Sequence, residues 1–154
     1  MDKLWYAGTG IISAIGNNVA ECRDALENGR AGMGTMQYLD SIYKQKFPVA
    51  EVKLSNNELA QLSGLPASLS RTALLSMIAA KEALNNAGIE NLDSFRTGFI
   101  SANSVGGMDK SENFFSQYLP DNTKGRLRDV LHHECGSITE LVADKLGIKN
   151  YVST

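Results

Sequence analysis

Apolar positions along the chain change their period several times, and each change marks an element. KLWYAGTGIIS (3–13) is an apolar run broken by Gly8 and Gly10. It predicts a buried strand that ends in a glycine turn. From Asn17 the period turns helical: Val19, Cys22, Leu26 and, more loosely, Ala25 share a face. Asn17 or Asn18 supplies the cap and Gly29 the stop. Residues 30–46 show little periodicity and read as a glycine-containing connector. FPVAEVKL alternates weakly, and Pro48 confines it to a short edge strand. SNNELAQLSG predicts a short helix. In SRTALLSMIAAKEALNNAG, Leu74, Met77, Ile78 and Leu84 recur at helical spacing. Ala73, Ala79, Ala80, Ala83 and Ala87 allow close packing there, and Gly88 ends the helix.

FRTGFISAN reads as a second buried strand. SVGGMDKSENFFSQYLP opens with a Gly–Gly turn and predicts a short helix. RLRDVLHHECGSITELVADKLG predicts one long helix, with Gly136 inside it and Gly147 at its end. GIKNYVST begins a further strand at Tyr151. The order β-α-(β)-α-β-α-β predicts an α/β fold, a mostly parallel sheet with packed helices and right-handed crossovers. Three buried strands make a thin sheet, since sheets usually have about four to six. The expectation is that the sheet is incomplete within these residues.

Composition narrows the function classes. The 154 residues suffice for one domain with a core. A formal charge of −2 leaves no electrostatic footprint for nucleic acid or an anionic membrane, so neither is expected as a partner. No apolar run approaches the ~20 residues of a membrane span. MDKLWYAGTG has no secretory h-region. Cys22 and Cys135 lie far apart without CxxC spacing, which favours a reduced, cytoplasmic setting.

Three segments carry candidate chemistry. GTGIISAIG (8–16) follows the first predicted strand, but Ser13 stands where a dinucleotide loop needs its third glycine. A glycine turn for tight packing is the better reading, and no P-loop is present. LHHECGS brings together His132, His133, Glu134 and Cys135. On a helix only His132 and Cys135 would share a face, and two ligands do not make a metal site. A Cys–His nucleophilic pair finds no further support. No metal and no cofactor is expected. SANSVGGMDKSE lies after a predicted strand, where parallel α/β folds place their sites. Gly106 and Gly107 permit positive φ and close backbone approach.

Taken together and in order, these motifs resemble a β-ketoacyl-ACP synthase. YAGTGIISAIGNNVAECRDALENGRAGMG is similar to the family's opening strand, its T-G-x-G-x-x-[ST]-x-x-G turn, its first helix and its G-[RK]-[SA]-G turn. SRTALLSMIAAKEALNNAGI resembles the helix rich in A-A-x-x-A-L and closed by A-G-[IL]. SANSVGGM resembles the G-[ST]-G-x-G-G segment. GIKNYVST resembles the strand that leads into T-A-C-[ST]-S, which holds the nucleophilic cysteine.

The resemblance implies that residues 1–154 are a partial, N-terminal thiolase-like domain, the first portion of the first half of a synthase. The implied reaction is a decarboxylative Claisen condensation of an acyl thioester with malonyl-ACP, the 3-oxoacyl-ACP synthase step of fatty-acid or polyketide-type elongation. The nucleophile would lie a few residues past Thr154, so no catalytic residue is expected in this chain and the chain alone is expected to be inactive. The implied partners are acyl carrier protein, acyl and malonyl thioesters, and a second subunit in a homodimer or heterodimer. By position in the motif, Val105, Gly106 and Gly107 would line the acyl pocket, and Arg71 would face the carrier protein. Ala102, Asn103 and Ser104 depart from the usual Gly-[ST]-Gly, and Ala14 stands where Pro is common. A non-catalytic, chain-length-factor-type partner subunit is the alternative; a nucleotide-binding domain is a third, weaker reading. A partial domain would also expose apolar surface and self-associate or be marginally stable.

Overall fold

The computed structural model describes residues 3–39 and 41–154. Five helices are present among them: α1 (Val19–Glu27), α2 (Asn56–Ser63), α3 (Arg71–Asn86), α4 (Met108–Tyr118) and α5 (Cys135–Leu146). Four short strands accompany them: β1 (Gly34–Thr35), β2 (Pro48–Val49), β3 (Gly98–Ile100) and β4 (Tyr151–Ser153). The chain divides into two units. Residues 1–63 and 78–90 form the first, and residues 64–77 and 91–154 the second.

In the first unit the helices start where the sequence offers caps. Asn18 precedes α1, and its side-chain oxygen accepts the Glu21 N–H at 2.9 Å. Ser55 precedes α2 in a reciprocal box. The Glu58 N–H donates to Ser55 Oγ at 3.3 Å, while the Ser55 N–H donates to Glu58 Oε2 at 2.7 Å. The Ser55 hydroxyl, and after it the Ser55 N–H, hold the Glu58 carboxyl below the ordinary carboxylate range. Cys22, Ala25, Met36 and Leu59 are the buried apolar residues here. Leu26, expected on the buried face of α1, is instead 71% exposed. β1 and β2 pair antiparallel, with Gly34 opposite Val49 and Thr35 opposite Pro48. Pro48 thus sits on a two-residue edge ladder, as its missing N–H requires.

The expected first strand does not form. Residues 3–12 pair with no other strand among the described residues, and Leu4, Trp5 and Tyr6 are largely exposed. A strand gains its hydrogen bonds only from a neighbour, and none lies alongside. This stretch instead lies against the C-terminal part of α3. A Cβ on Gly8 would stand 2.4 Å from the Ala83 carbonyl oxygen, and one on Gly10 would stand 1.9 Å from that of Ala79. Glu82 fastens the segment from the helix side. Its carboxylate accepts the Ile11 N–H at 2.9 Å and the Val19 N–H at 2.8 Å. Asn86 donates to the Thr9 carbonyl at 2.6 Å.

In the second unit β3 and β4 run parallel, with Phe99 opposite Val152. α5 packs on this pair. The core collects Leu65, Leu74, Met77, Ile138, Val142 and Ile148. β3 was expected to be buried, yet Gly98 is exposed and Ile100 is 74% exposed. A ladder of two strands, covered by one helix, leaves its other face open. The single mostly parallel sheet is therefore replaced, among the described residues, by one antiparallel and one parallel pair.

The long helix expected from Arg126 also changes. Residues 127–129 form a 3-10 turn, and Glu134 is extended at φ −74°, ψ 147°. α5 begins only at Cys135, so Gly136 lies in its first turn. Gly147 closes it in the left-handed region at φ 78°. His132 and Cys135 therefore do not share a helix face. No helix among the described residues is long and apolar enough to cross a membrane.

Candidate functional site

The loop after β3 is fastened by hydrogen bonds and by close backbone approach. Asn103 anchors it in two directions. Its Oδ1 accepts the Gly106 N–H at 2.9 Å, and its Nδ2 donates to the Cys135 carbonyl at 3.3 Å. Gly106 takes φ +52°, and a Cβ there would stand 2.1 Å from the His133 carbonyl oxygen. A Cβ on Gly107 would stand 2.2 Å from the His132 carbonyl oxygen. Both glycines are buried, and the Gly107 N–H donates to the His133 carbonyl at 3.2 Å. Only glycine permits this approach of two backbones. The pair expected to line the acyl pocket is packed against the 132–134 turn.

Val105, next to the pair, is 47% exposed, and its carbonyl accepts the Met108 N–H at 3.1 Å as α4 begins. Arg71 opens α3. Its backbone N–H donates to Asp109 Oδ2 at 3.1 Å, in the first turn of α4. The Val105–Gly107 loop leads into α4, and the Arg71 backbone meets the first turn of the same helix through Asp109.

Two concave regions flank α4. One, of about 180 Å³, is lined by Ser70, Lys110, Arg128, Asp129 and His132 among others. Asp129 is buried and accepts from Arg126 Nε at 3.2 Å, so the carboxylate is already paired. Lys110 and Arg128 then leave the cleft with cationic character. The other, of about 550 Å³, is an open groove walled by Phe114, Phe115, Tyr118 and Leu127. Phe114 and Tyr118 stack at 5.3 Å with planes 17° apart, and Phe115 meets Phe114 edge-on. At its polar end Ser111 Oγ lies 2.8 Å from His133 Nδ1.

Lys110, Arg128 and the Ser111–His133 pair escaped the sequence reading. Ser111 and His133 are 22 residues apart, and no local spacing links them. Lys110 and Arg128 look like ordinary surface charges until the fold brings them together.

The other candidates do not make sites. Gly8 and Gly10 are filled by α3, which leaves no open cradle for a pyrophosphate. Cys22 is buried beneath Ser13 and the Gly16 carbonyl. Among the described residues, no three His, Cys, Asp or Glu side chains group to hold a metal ion.

No family model matches the chain, and no curated protein matches it. Among solved structures, the ishigamide ketosynthase/chain length factor superposes with a TM-score of 0.82 over 97% of this chain, at 21% identity. The chain has a ketosynthase-type fold. It spans 38% of the length of that structure.

Proposed function

We propose that this chain forms part of a 3-oxoacyl-[acyl-carrier-protein] synthase subunit. The subunit would join an acyl thioester to malonyl-ACP by decarboxylative Claisen condensation. The observation that carries the reading is the ketosynthase-type fold, matched over 97% of the chain. The motif order from Gly8 to Thr154 supports it.

On this reading the chain contributes walls and a docking face. Val105, Gly106 and Gly107 border the acyl pocket, with the glycines fixing the loop against the 132–134 turn. Arg71, with Lys110 and Arg128 in the neighbouring cleft, faces the acidic carrier protein. On this reading no residue of the chain is assigned as the nucleophile or as its acid–base partner.

A synthase subunit that contains this chain is the object to test. Incubated with acyl-ACP and malonyl-ACP, it releases carbon dioxide and yields a 3-oxoacyl product lengthened by two carbons. Val105→Phe shortens the accepted acyl chain. Arg71→Glu with Lys110→Glu raises KM for the carrier-bound substrate while kcat changes little. Absence of both acyl transfer and condensation would remove the synthase reading.

A second reading is favoured by the name of the structural neighbour, which joins a ketosynthase to a chain length factor. Here the subunit is a non-catalytic partner that shapes the pocket of an active one. Such a subunit is inactive alone but sets product length once paired with a ketosynthase.

A further inference from the structure

The groove beside α4 combines an apolar wall with one polar end. Its volume of about 550 Å³ falls in the range that holds a small molecule, roughly 300–1,000 Å³. Ser111 is 3% exposed, and its hydroxyl is committed within the protein. Besides His133 Nδ1 at 2.8 Å it reaches the Gly107 carbonyl, at 3.5 Å. His133 is exposed, and Nε2 makes no hydrogen bond among the described residues. One ring nitrogen is therefore held, and the exposed ring of His133 lines the groove. A hydroxyl and an imidazole of this kind can present either a donor or an acceptor at Nε2.

A saturated chain laid along Phe114, Phe115 and Tyr118 would strip water from that nitrogen and return nothing. A chain with a hydroxyl or keto oxygen at the same level restores the lost hydrogen bond. We propose that the Ser111–His133 pair makes this groove a site for oxygenated acyl chains, discriminating them from saturated chains of equal length. Ser111 acts as a positioning residue, fixing the imidazole by its Nδ1, and His133 Nε2 makes the contact. This rests on the synthase reading for the thioester-borne chain as ligand, but not for the geometry of the groove.

The test uses the full 154-residue chain with isotope-labelled histidine, titrated in NMR with two N-acetylcysteamine thioesters, octanoyl and 3-hydroxyoctanoyl. The hydroxylated probe binds about tenfold tighter, the difference expected from one satisfied hydrogen bond. It moves the ring-nitrogen signals of His133. His133→Phe keeps the aromatic bulk and abolishes the preference. Ser111→Ala reduces it, with circular dichroism reporting that the fold persists; this variant decides the matter if His133→Phe does not fold. Equal affinities, no binding of either probe, or a preference that survives both substitutions overturns the proposal. A subunit that lacks condensation activity while the preference stands refutes the synthase reading alone. An active subunit without the preference refutes this proposal alone.

Discussion

Two glycine pairs in this molecule solve the same packing problem with different consequences. Gly8 and Gly10 let the chain descend onto Ala79 and Ala83 of α3. Gly106 and Gly107 let a loop descend onto the carbonyls of His132 and His133. In the first case both partners are small and apolar, and the result is a seam. In the second the partner is a turn whose side chains carry titratable nitrogen, and the result borders two clefts. Glycine thus marks close approach in both places, and the neighbour decides whether a site arises.

The largest effects should come from filling these approaches. Gly10→Ala places a Cβ against helix backbone that cannot yield, and should cost about 3 kcal/mol. Gly106→Ala adds a left-handed φ to a comparable clash and should cost a similar amount, about 2–3 kcal/mol. Denaturant melts read both. The comparison sharpens if only Gly106→Ala shifts the His133 ring signals, and it breaks if both variants do.

A middle tier concerns the hydrogen bonds that hold each pair down. Glu82→Ala strands the Ile11 and Val19 N–H groups and should cost about 2 kcal/mol. Asn103→Ala removes both anchors of the second loop and should cost about 1–2 kcal/mol. Asn103→Asp keeps the acceptor for Gly106 but loses the donor to Cys135, so its melt should fall between wild type and Asn103→Ala. Equal losses for the two Asn103 variants would mean that the Gly106 bond contributes nothing.

The smallest effect is a pH response at two capped turns, the first of them at the start of α2. Glu58 has its pKa lowered in the folded state by the Ser55 hydroxyl and N–H. A depressed carboxylate pKa contributes stability above the unfolded value, and that contribution fades as pH falls through the folded one. The start of α2 should therefore loosen only below the ordinary value of 4.5. Amide exchange at residues 55–59 measures it, and Glu58→Gln should remove the dependence. The second unit holds a parallel case, since the Thr123 hydroxyl and then its N–H lower the Asp121 pKa. An acid response that spares both turns would contradict this account.

The helices were legible because their signals are local. Asn18 caps α1 and Gly88 stands at φ +67° past α3, where the sequence placed a cap and a stop. The alanines at 79, 83 and 87 meet the glycines their size anticipates. S-N-N-E at 55–58 is itself the local pattern of a capping box. Strands were less legible, because a strand is completed by a neighbour. Residues 3–13 have strand chemistry and no partner among the described residues, and Ile100 has strand geometry and an open face. α5 started late because VLHHE reads as helix by spacing, while the turn at Leu127–Asp129 and extended Glu134 satisfy the backbone otherwise. Around the candidate site the close approach at Gly106 and Gly107 was legible. The contact of Ser111 with His133 spans 22 residues, a distance no periodicity covers.

The exposed stretch at Leu4–Tyr6 contains the protein's one tryptophan, and Trp5 is 84% exposed. Its indole should emit as it would in water. Whatever covers that stretch, be it a second subunit, further chain or another copy, must shift the emission to the blue. The molecule carries its own optical gauge of whether its unpaired segment has found a neighbour.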